Sequence, residues 1–283
     1  MDDAHYLEEI ELNKQKLINN FTKLPKDLTD QNYLISSLAI NSSKNNFNNV
    51  LVSDSTRVKL QNYSHDYINA NYILKNRYIA TQQPNDNTIL DFWRMVIETK
   101  SKLIVNLNGS PGSNNYLSLT EKQSNEILLD IKELRSTDCI KIKIITIIDK
   151  RSCNINATDL NQMYHMYRIY HLTYLKWPDF GVPNSNEFIE LINITKKINS
   201  LVTKFPIIVH CRAGIGRTGT FIMLHCVLNL LDHNLYPNLI NFVKHMRYAR
   251  SGMIQEVSQF EFILNIIQYK LKCKLKCKLI KSI

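Results

Sequence analysis

His210-Cys211-Arg212-Ala213-Gly214-Ile215-Gly216-Arg217-Thr218-Gly219 follows the apolar run Ile207-Ile208-Val209 and precedes the mostly apolar stretch Thr220 to Leu231. That order predicts a short buried strand, a glycine-rich turn and a buried helix, the arrangement that cradles a phosphate group at a helix N-terminus. Glycine is scarce, with seven in 283 residues, yet three of the seven fall at 214, 216 and 219. Average usage would give about 20 in a chain of this length. Glycine admits backbone conformations and close approaches that a Cβ blocks, so the turn reads as a concave nest. The N–H groups of Arg212, Ala213, Gly214, Ile215, Gly216 and Arg217 line it, and such a nest binds dianions.

The side chains of the same stretch specify chemistry. At the base of the nest, Cys211 is surrounded by N–H dipoles and the Arg217 charge, which favour the thiolate and make it a nucleophile. Arg217, six residues on, can return to the phosphate and form two parallel hydrogen bonds to its oxygens, which lysine cannot do. Thr218 offers a hydroxyl to the sulfur, and His210 orients the loop without acting as a base. A departing oxyanion needs a proton donor, and Trp177-Pro178-Asp179-Phe180-Gly181-Val182-Pro183 supplies one 32 residues before the cysteine. Trp177 and Pro178 read as a rigid hinge and Gly181 as a flexible one. Asp179 is then the general acid, and the general base when water attacks.

These two motifs, with Asp66-Tyr67-Ile68-Asn69-Ala70-Asn71-Tyr72-Ile73 upstream and Gln255 to Gln259 downstream, resemble the cysteine-based tyrosine-specific protein phosphatases over roughly residues 20 to 270. The resemblance implies an α/β (α+β) domain with a twisted, mostly mixed sheet flanked by helices. It implies no metal, no cofactor, and a pocket deep enough for phosphotyrosine. It assigns Gln255, and secondarily Gln259, to positioning the hydrolytic water. Arg247 and Arg250 would brace the site, and Gly252 would leave its entrance open. Lys44-Asn45-Asn46-Phe47-Asn48-Asn49-Val50 resembles the family's phosphotyrosine-recognition loop; Phe47 stands where tyrosine is usual and can stack on the substrate ring. Asn49 replaces the usual aspartate that grips the substrate backbone. Read without the resemblance, this asparagine-rich run is a plain surface loop.

Other departures bear on activity. Tyr116-Leu117-Ser118 replaces Tyr-Trp-Pro, and the loop Asn108 to Asn115 lacks the family's glutamate that braces the catalytic arginine, so Arg217 is expected to be less rigidly held. Gln83 replaces the glycine of Thr-Gln-Gly-Pro, and Glu256 the threonine after the water-positioning glutamine. Arg212 adds a positive charge at the pocket lip.

The leading function is hydrolysis of protein phosphotyrosine through a phosphocysteine. The alternatives are a weakly active or inactive domain that sequesters phosphotyrosine proteins, and a dual-specificity or RNA phosphatase.

Composition places no obstacle. Hydrophobic residues make up 44% and charged ones 21%, which fits a folded globular chain. Of the net charge of +10, six units come from the lysines of residues 270–283, where there is no acid. The remaining mild charge does not imply nucleic acid.

Six cysteines without a CxxC pair indicate a reducing compartment. No secretory leader or membrane span is read from the sequence, and a cytoplasmic protein is expected. Richness in Asn, Ile and Lys, together with compactness, resembles the single-domain phosphatases of parasitoid-wasp bracoviruses. That resemblance implies a host-cell cytoplasm and an effect on host tyrosine signalling, with phosphotyrosine-containing proteins as partners.

Three segments are expected: 1–43, a helical cap packed on the domain, with Leu7, Ile10, Leu17, Ile18 and Phe21 at helical spacing; 44–270, the catalytic domain; and 271–283, a basic tail. Strands are expected at Ile68 to Ala80, Leu103 to Leu107, Glu126 to Leu134, Ile140 to Ile148 and Tyr164 to Tyr174. The tail, with Leu271, Leu275 and Leu279 at i+4 spacing, could extend the last helix, but reads more readily as a solvated, partly frayed terminus. Its lysines and Cys273 and Cys277 would also allow weak contact with an anionic membrane surface.

Overall fold

Ile207, Ile208 and Val209 are all buried, and they point alternately to two different cores. Ile207 and Val209 join the larger core, and Ile208 joins the smaller one. Leu103, Ile104 and Val105 divide in the same way. A strand covered on both faces has no polar side, so it reads as an unbroken apolar run.

The computed structural model describes residues 1–27, 32–61, 65–110, 112–119, 125–152, 165–202 and 204–281. Its eight strands are β1 (Arg57–Lys59), β2 (Tyr67–Ile73), β3 (Tyr78–Gln82), β4 (Leu103–Asn106), β5 (Ile127–Ser136), β6 (Ile140–Asp149), β7 (His165–Tyr174) and β8 (Ile207–Cys211). They form one mixed sheet in the order β1-β2-β3-β8-β4-β7-β6-β5. The four central strands β3, β8, β4 and β7 are parallel, and the outer pairs are antiparallel.

The helices are α1 (Asp3–Leu12), α2 (Lys14–Lys23), α3 (Ile89–Glu98), α4 (Ser185–Leu201), α5 (Gly216–Asp232), α6 (Leu239–Ala249) and α7 (Val257–Lys281). Helix α3 closes the smaller core with Phe92, Trp93, Met95 and Val96. The N-terminal helices and α4 to α7 close the larger one.

The strand expected over Ile68 to Ala80 is two strands. Leu74, Lys75 and Asn76 all have φ between 51° and 64°, so the chain reverses there through left-handed residues without a glycine, and β2 and β3 pair antiparallel. The strand expected from Tyr164 begins, among the described residues, at His165; Tyr164 itself and Cys153 lie outside them, as does Pro111 of the 108–115 loop. Tyr6, Leu7, Ile10 and Phe21 are buried, and Phe21 stacks on Phe260 of α7 at 4.4 Å between ring centroids.

The basic tail takes the helical alternative over the frayed one. Helix α7 continues to Lys281, with Leu271 fully buried. Among its described side chains, four lysines pair with acids: Lys270 with Asp232, Lys272 with Glu11, and both Lys274 and Lys278 with Asp3. The frayed terminus is therefore a docked helix through its first turns, although Leu279 and Ile280 are exposed.

The Asp3 side chain is buried and also accepts from the Tyr236 hydroxyl. Burial pushes its carboxyl up, but Lys278, Lys274 and Tyr236 outweigh that and leave it below the ordinary value. Asp3→Asn removes the charge that both lysines face. A loss of about 2 kcal/mol is expected, read as a melting temperature lower by about 5 °C. An unchanged melting temperature would show that the clasp is ornamental.

Candidate active site

The register of β8 sets the site. Cys211 is its last residue and lies beside Gln82 of β3, while His210 lies beside Thr81 and beside Asn106 of β4. Because successive side chains alternate, Cys211 faces the larger core and His210 the smaller one. The chain then turns through residues 212–215 into α5, bringing a helix N-terminus onto the carboxyl end of a central parallel strand. This is where open α/β sheets hold ligands.

Gly214 has a φ of 73°, and a Cβ there would lie 2.2 Å from the carbonyl oxygen of Thr81. At Gly219 a Cβ would meet the backbone nitrogen of Ile254 at 2.5 Å. These two glycines allow the loop to press between β3 and the segment leading to α7. Cys211 Sγ is buried and accepts from Gly214 N–H and from Thr218 Oγ1, each at 3.3 Å. Both donors direct their hydrogens at the sulfur from the turn that follows it.

Arg217 donates to the carbonyl oxygens of Pro178 at 3.2 Å and Leu107 at 3.5 Å, and its guanidinium lies 5.8 Å from the Trp177 ring centroid. The looser arginine expected from the missing glutamate is therefore held by neutral carbonyls and an indole. Trp177 Nε1 donates to Gly181 O, which folds the 177–181 loop onto itself. Asp179 is 86% exposed, with Oδ1 3.8 Å from Arg217 Nη2. Next to it Phe180 is 94% exposed, and Gly181 has a φ of 91°.

The 44–50 run is anchored. Gln82 accepts from Asn46 N–H and donates to Lys44 O, and Asn46 donates to Gln83 O at 2.7 Å. Asn69 donates to both Asn45 Oδ1 and Val50 O. The asparagines that resemble surface composition are pins holding Phe47 near the loop, where Arg212 sits 5.6 Å from its ring centroid. Asn49 is exposed.

Gln255 and Gln259 both face the loop. A Cβ on Gly216 would lie 3.2 Å from Gln255 Oε1 and 3.0 Å from Gln259 Nε2. Gln259 Oε1 accepts from Gln255 N–H at 3.0 Å. Ile254, a β-branched residue, is held at a φ of 59°, which costs about 1–3 kcal/mol. Its N–H donates to Ile215 O, so the strained turn aims Gln255 at the loop. Gly252, with a φ of 71°, approaches Ile215.

The two downstream arginines divide differently from expectation. Arg247 donates to Leu24, Pro25, Met253 and Ile254 carbonyls and covers the Phe21 ring. It braces the segment carrying Gln255, which in turn packs on the 210–219 loop. Arg250 reaches that loop directly. Fully buried, it donates to Gly214 O at 2.9 Å, Ala213 O at 3.1 Å, Asn71 Oδ1 at 2.8 Å and Asn69 Oδ1 at 2.7 Å. Burial pushes it down to about 10, so it remains charged near neutrality.

Tyr116 is a support that its motif, with Trp-Pro lost, did not advertise. Its hydroxyl lies 2.8 Å from His210 Nε2 and 2.6 Å from His171 Nε2. One hydroxyl hydrogen serves only one ring, so the other imidazole carries its proton on Nε2 and donates. Trp93 Nε1 fixes the tyrosine backbone.

Burial pushes both His171 and His210 down to about 3. The unfolded chain takes up protons on them below about pH 6.5, and the folded chain only near pH 3. Their contribution is thus whole above pH 6.5 and lost as pH falls toward 3, by about 2 kcal/mol per ring at pH 5. The melting temperature should drop steeply between pH 7 and 5; a flat profile would contradict the buried neutral rings.

The family model for protein-tyrosine phosphatases matches residues 41–269. Tyrosine-protein phosphatase non-receptor type 20 of Rattus norvegicus is 33% identical over 267 residues, covering 89% of this chain and 60% of that protein. Tyrosine-protein phosphatase 1 of Caenorhabditis elegans is 32% identical over 276 residues, covering 90% and 25%. Phosphatidylinositol phosphatase PTPRQ of Homo sapiens is 31% identical over 283 residues, covering 89% and 11%. The chain thus spans less than two thirds of the length of these relatives. No helix among the described residues is long and apolar enough to cross a membrane. A buried thiol under a glycine-built nest, and a family match over most of the chain's length, place this protein in the protein-tyrosine phosphatase family.

Proposed function

We propose that the chain hydrolyses phosphotyrosine in proteins through a phosphocysteine on Cys211. The observation that carries this reading is the Cys211 sulfur held by Gly214 N–H and Thr218 Oγ1 at the base of the loop, with Arg217 beside Asp179. The phosphate oxygens take the loop N–H groups and the Arg217 fork. The thiolate attacks phosphorus, the S–P bond forms as the P–O bond to the phenol breaks, and Asp179 gives its proton to the departing oxygen. Water, positioned by Gln255 and Gln259, then attacks phosphorus as Asp179 takes its proton, releasing phosphate and restoring the thiolate. Phe47 stacks on the substrate ring, Asn49 and Arg212 meet its flanks, and His210 and Tyr116 hold the loop from the opposite face.

The segment boundaries at 43 and 270 and a cytoplasmic setting belong to the same reading. So does a virus-infected host cell as that setting; it rests on composition and resemblance alone. Weak contact of the basic tail with an anionic surface belongs to that reading as well; four tail lysines already face the three acids Asp232, Glu11 and Asp3.

The test is turnover of a phosphotyrosine peptide, a phosphoserine peptide, a 5′-triphosphate RNA and a phosphoinositide by the full chain. Preference for phosphotyrosine is expected. Binding of the phosphotyrosine peptide without turnover would replace the enzyme with a sequestering domain, and a preference for the phosphoinositide would move the substrate from protein to lipid. Asp179→Ala should lower kcat by about 10²- to 10⁴-fold with little change in affinity. A large rise in dissociation constant would refute its role as acid.

A further inference from the structure

At the other end of β3 and β8, a cavity of about 640 Å³ opens beside the β2–β3 turn. Tyr78 follows that turn and pairs with Ile207, four residues before Cys211. The volume lies within the range of about 300–1,000 Å³ typical of small-molecule sites. Its deepest residues are Cys226 and Ala249, which are buried, and its walls include Leu74, Leu230, Tyr72 and Tyr248.

At the rim stand Arg57, Lys75, Arg77 and His245. Arg57 is engaged by Asp66 at 2.6 Å. Lys75 and Arg77 have no acidic partner among the described residues. The charge of Arg77 reaches the floor, where it offsets part of the upward push that burial gives the Cys226 thiol. An apolar hollow with unspent cations at its mouth complements a molecule with an apolar body and one anionic head.

The cavity is wired to the catalytic loop. Thr56, one of its lining residues, donates to Ala249 O and accepts from Asn71 Nδ2 at 2.9 Å. Asn71 Oδ1 accepts from Arg250 at 2.8 Å, and Arg250 Nε donates to Gly214 O at 2.9 Å. Three hydrogen bonds thus separate the cavity wall from the turn around Cys211.

We propose that this cavity is a regulatory site for an amphiphilic anion, a fatty carboxylate or an alkyl phosphate, whose body fills the space among Leu74, Leu230 and Cys226. Its head pairs with Arg77 and Lys75, and its occupancy alters turnover at Cys211. The turnover part rests on the proposed hydrolase activity; the binding part does not.

The test titrates the full chain with dodecanoate, dodecyl phosphate and dodecanol, each below its micelle concentration, by calorimetry with saturating orthovanadate at the catalytic loop. At least one of the anions should bind, one per chain, with dodecanol about tenfold weaker; comparing the two anions identifies the preferred head. Arg77→Glu should weaken the anions about tenfold and spare dodecanol. Leu230→Trp should fill the hollow and abolish binding of all three, with its melting curve showing that it folds. In vanadate-free assays, the bound anion should change kcat for a phosphotyrosine peptide in the wild type and not in Leu230→Trp. Absence of saturable binding, equal binding by both variants, or equal affinity for dodecanol would overturn the site. Binding that leaves turnover unchanged would overturn its regulatory role. If the wild type turns over no substrate, the hydrolase reading fails while the calorimetric result stands by itself.

Discussion

Replacing Cys211 by serine is expected to take turnover of a phosphotyrosine peptide below detection, a loss of at least about 10⁴-fold, while equilibrium binding stays close to wild type. A serine oxygen would keep the Gly214 N–H and Thr218 Oγ1 as neighbours. It would also keep its proton, because an alkoxide is far less accessible near neutrality than a thiolate. The neighbouring His210 is not placed to take that proton. His210 points to the opposite face of β8, bonded to Tyr116, and burial has already made its ring a poor proton acceptor. The contacts expected to hold phosphate, the loop N–H groups and Arg217, are untouched. Calorimetry with the peptide and a continuous phosphate-release assay would measure both halves; a residual rate within about 100-fold of wild type would refute Cys211 as nucleophile.

Replacing Arg250 by methionine is expected to cost about 3–5 kcal/mol of stability, lowering the melting temperature by about 10 °C, and to reduce kcat even where the chain is fully folded. The loss leaves the carbonyls of Ala213 and Gly214 and the amide oxygens of Asn69 and Asn71 without their donor in a dry interior. Lysine should recover little, since four acceptors spread around one planar group need a fork. Arg247→Met provides the contrast. It strips bonds from the segments around Leu24 and Met253, so stability should fall while kcat falls less. Equal kcat losses for the two variants would contradict this division.

What sequence could convey depended on how far apart the cooperating residues lie. The strand, nest and helix from Ile207 to Leu231 are contiguous, so glycine placement and apolar runs sufficed to order them. The reversal at Leu74 to Asn76 was hidden because left-handed backbone is usually flagged by glycine, and none is there. The docked tail was hidden because Asp3, 271 residues away from Lys274, holds it. Arg250 and Tyr116 act through groups that only the assembled sheet brings near, Asn69 and Asn71 from β2 and His171 from β7. The Asn45 and Asn46 pins were hidden by composition, since asparagine in a polar run carries no mark of the acceptor it will meet.

The alternation along β8 has a further consequence for how the molecule fails. Its last two residues anchor the 212–215 turn in both hydrophobic layers at once, Cys211 in one and His210 in the other, so neither layer can loosen without disturbing the proposed nucleophile. Heat inactivation should therefore track global melting with no earlier step. Catalysis in this chain would then serve as a faithful thermometer of the whole sheet.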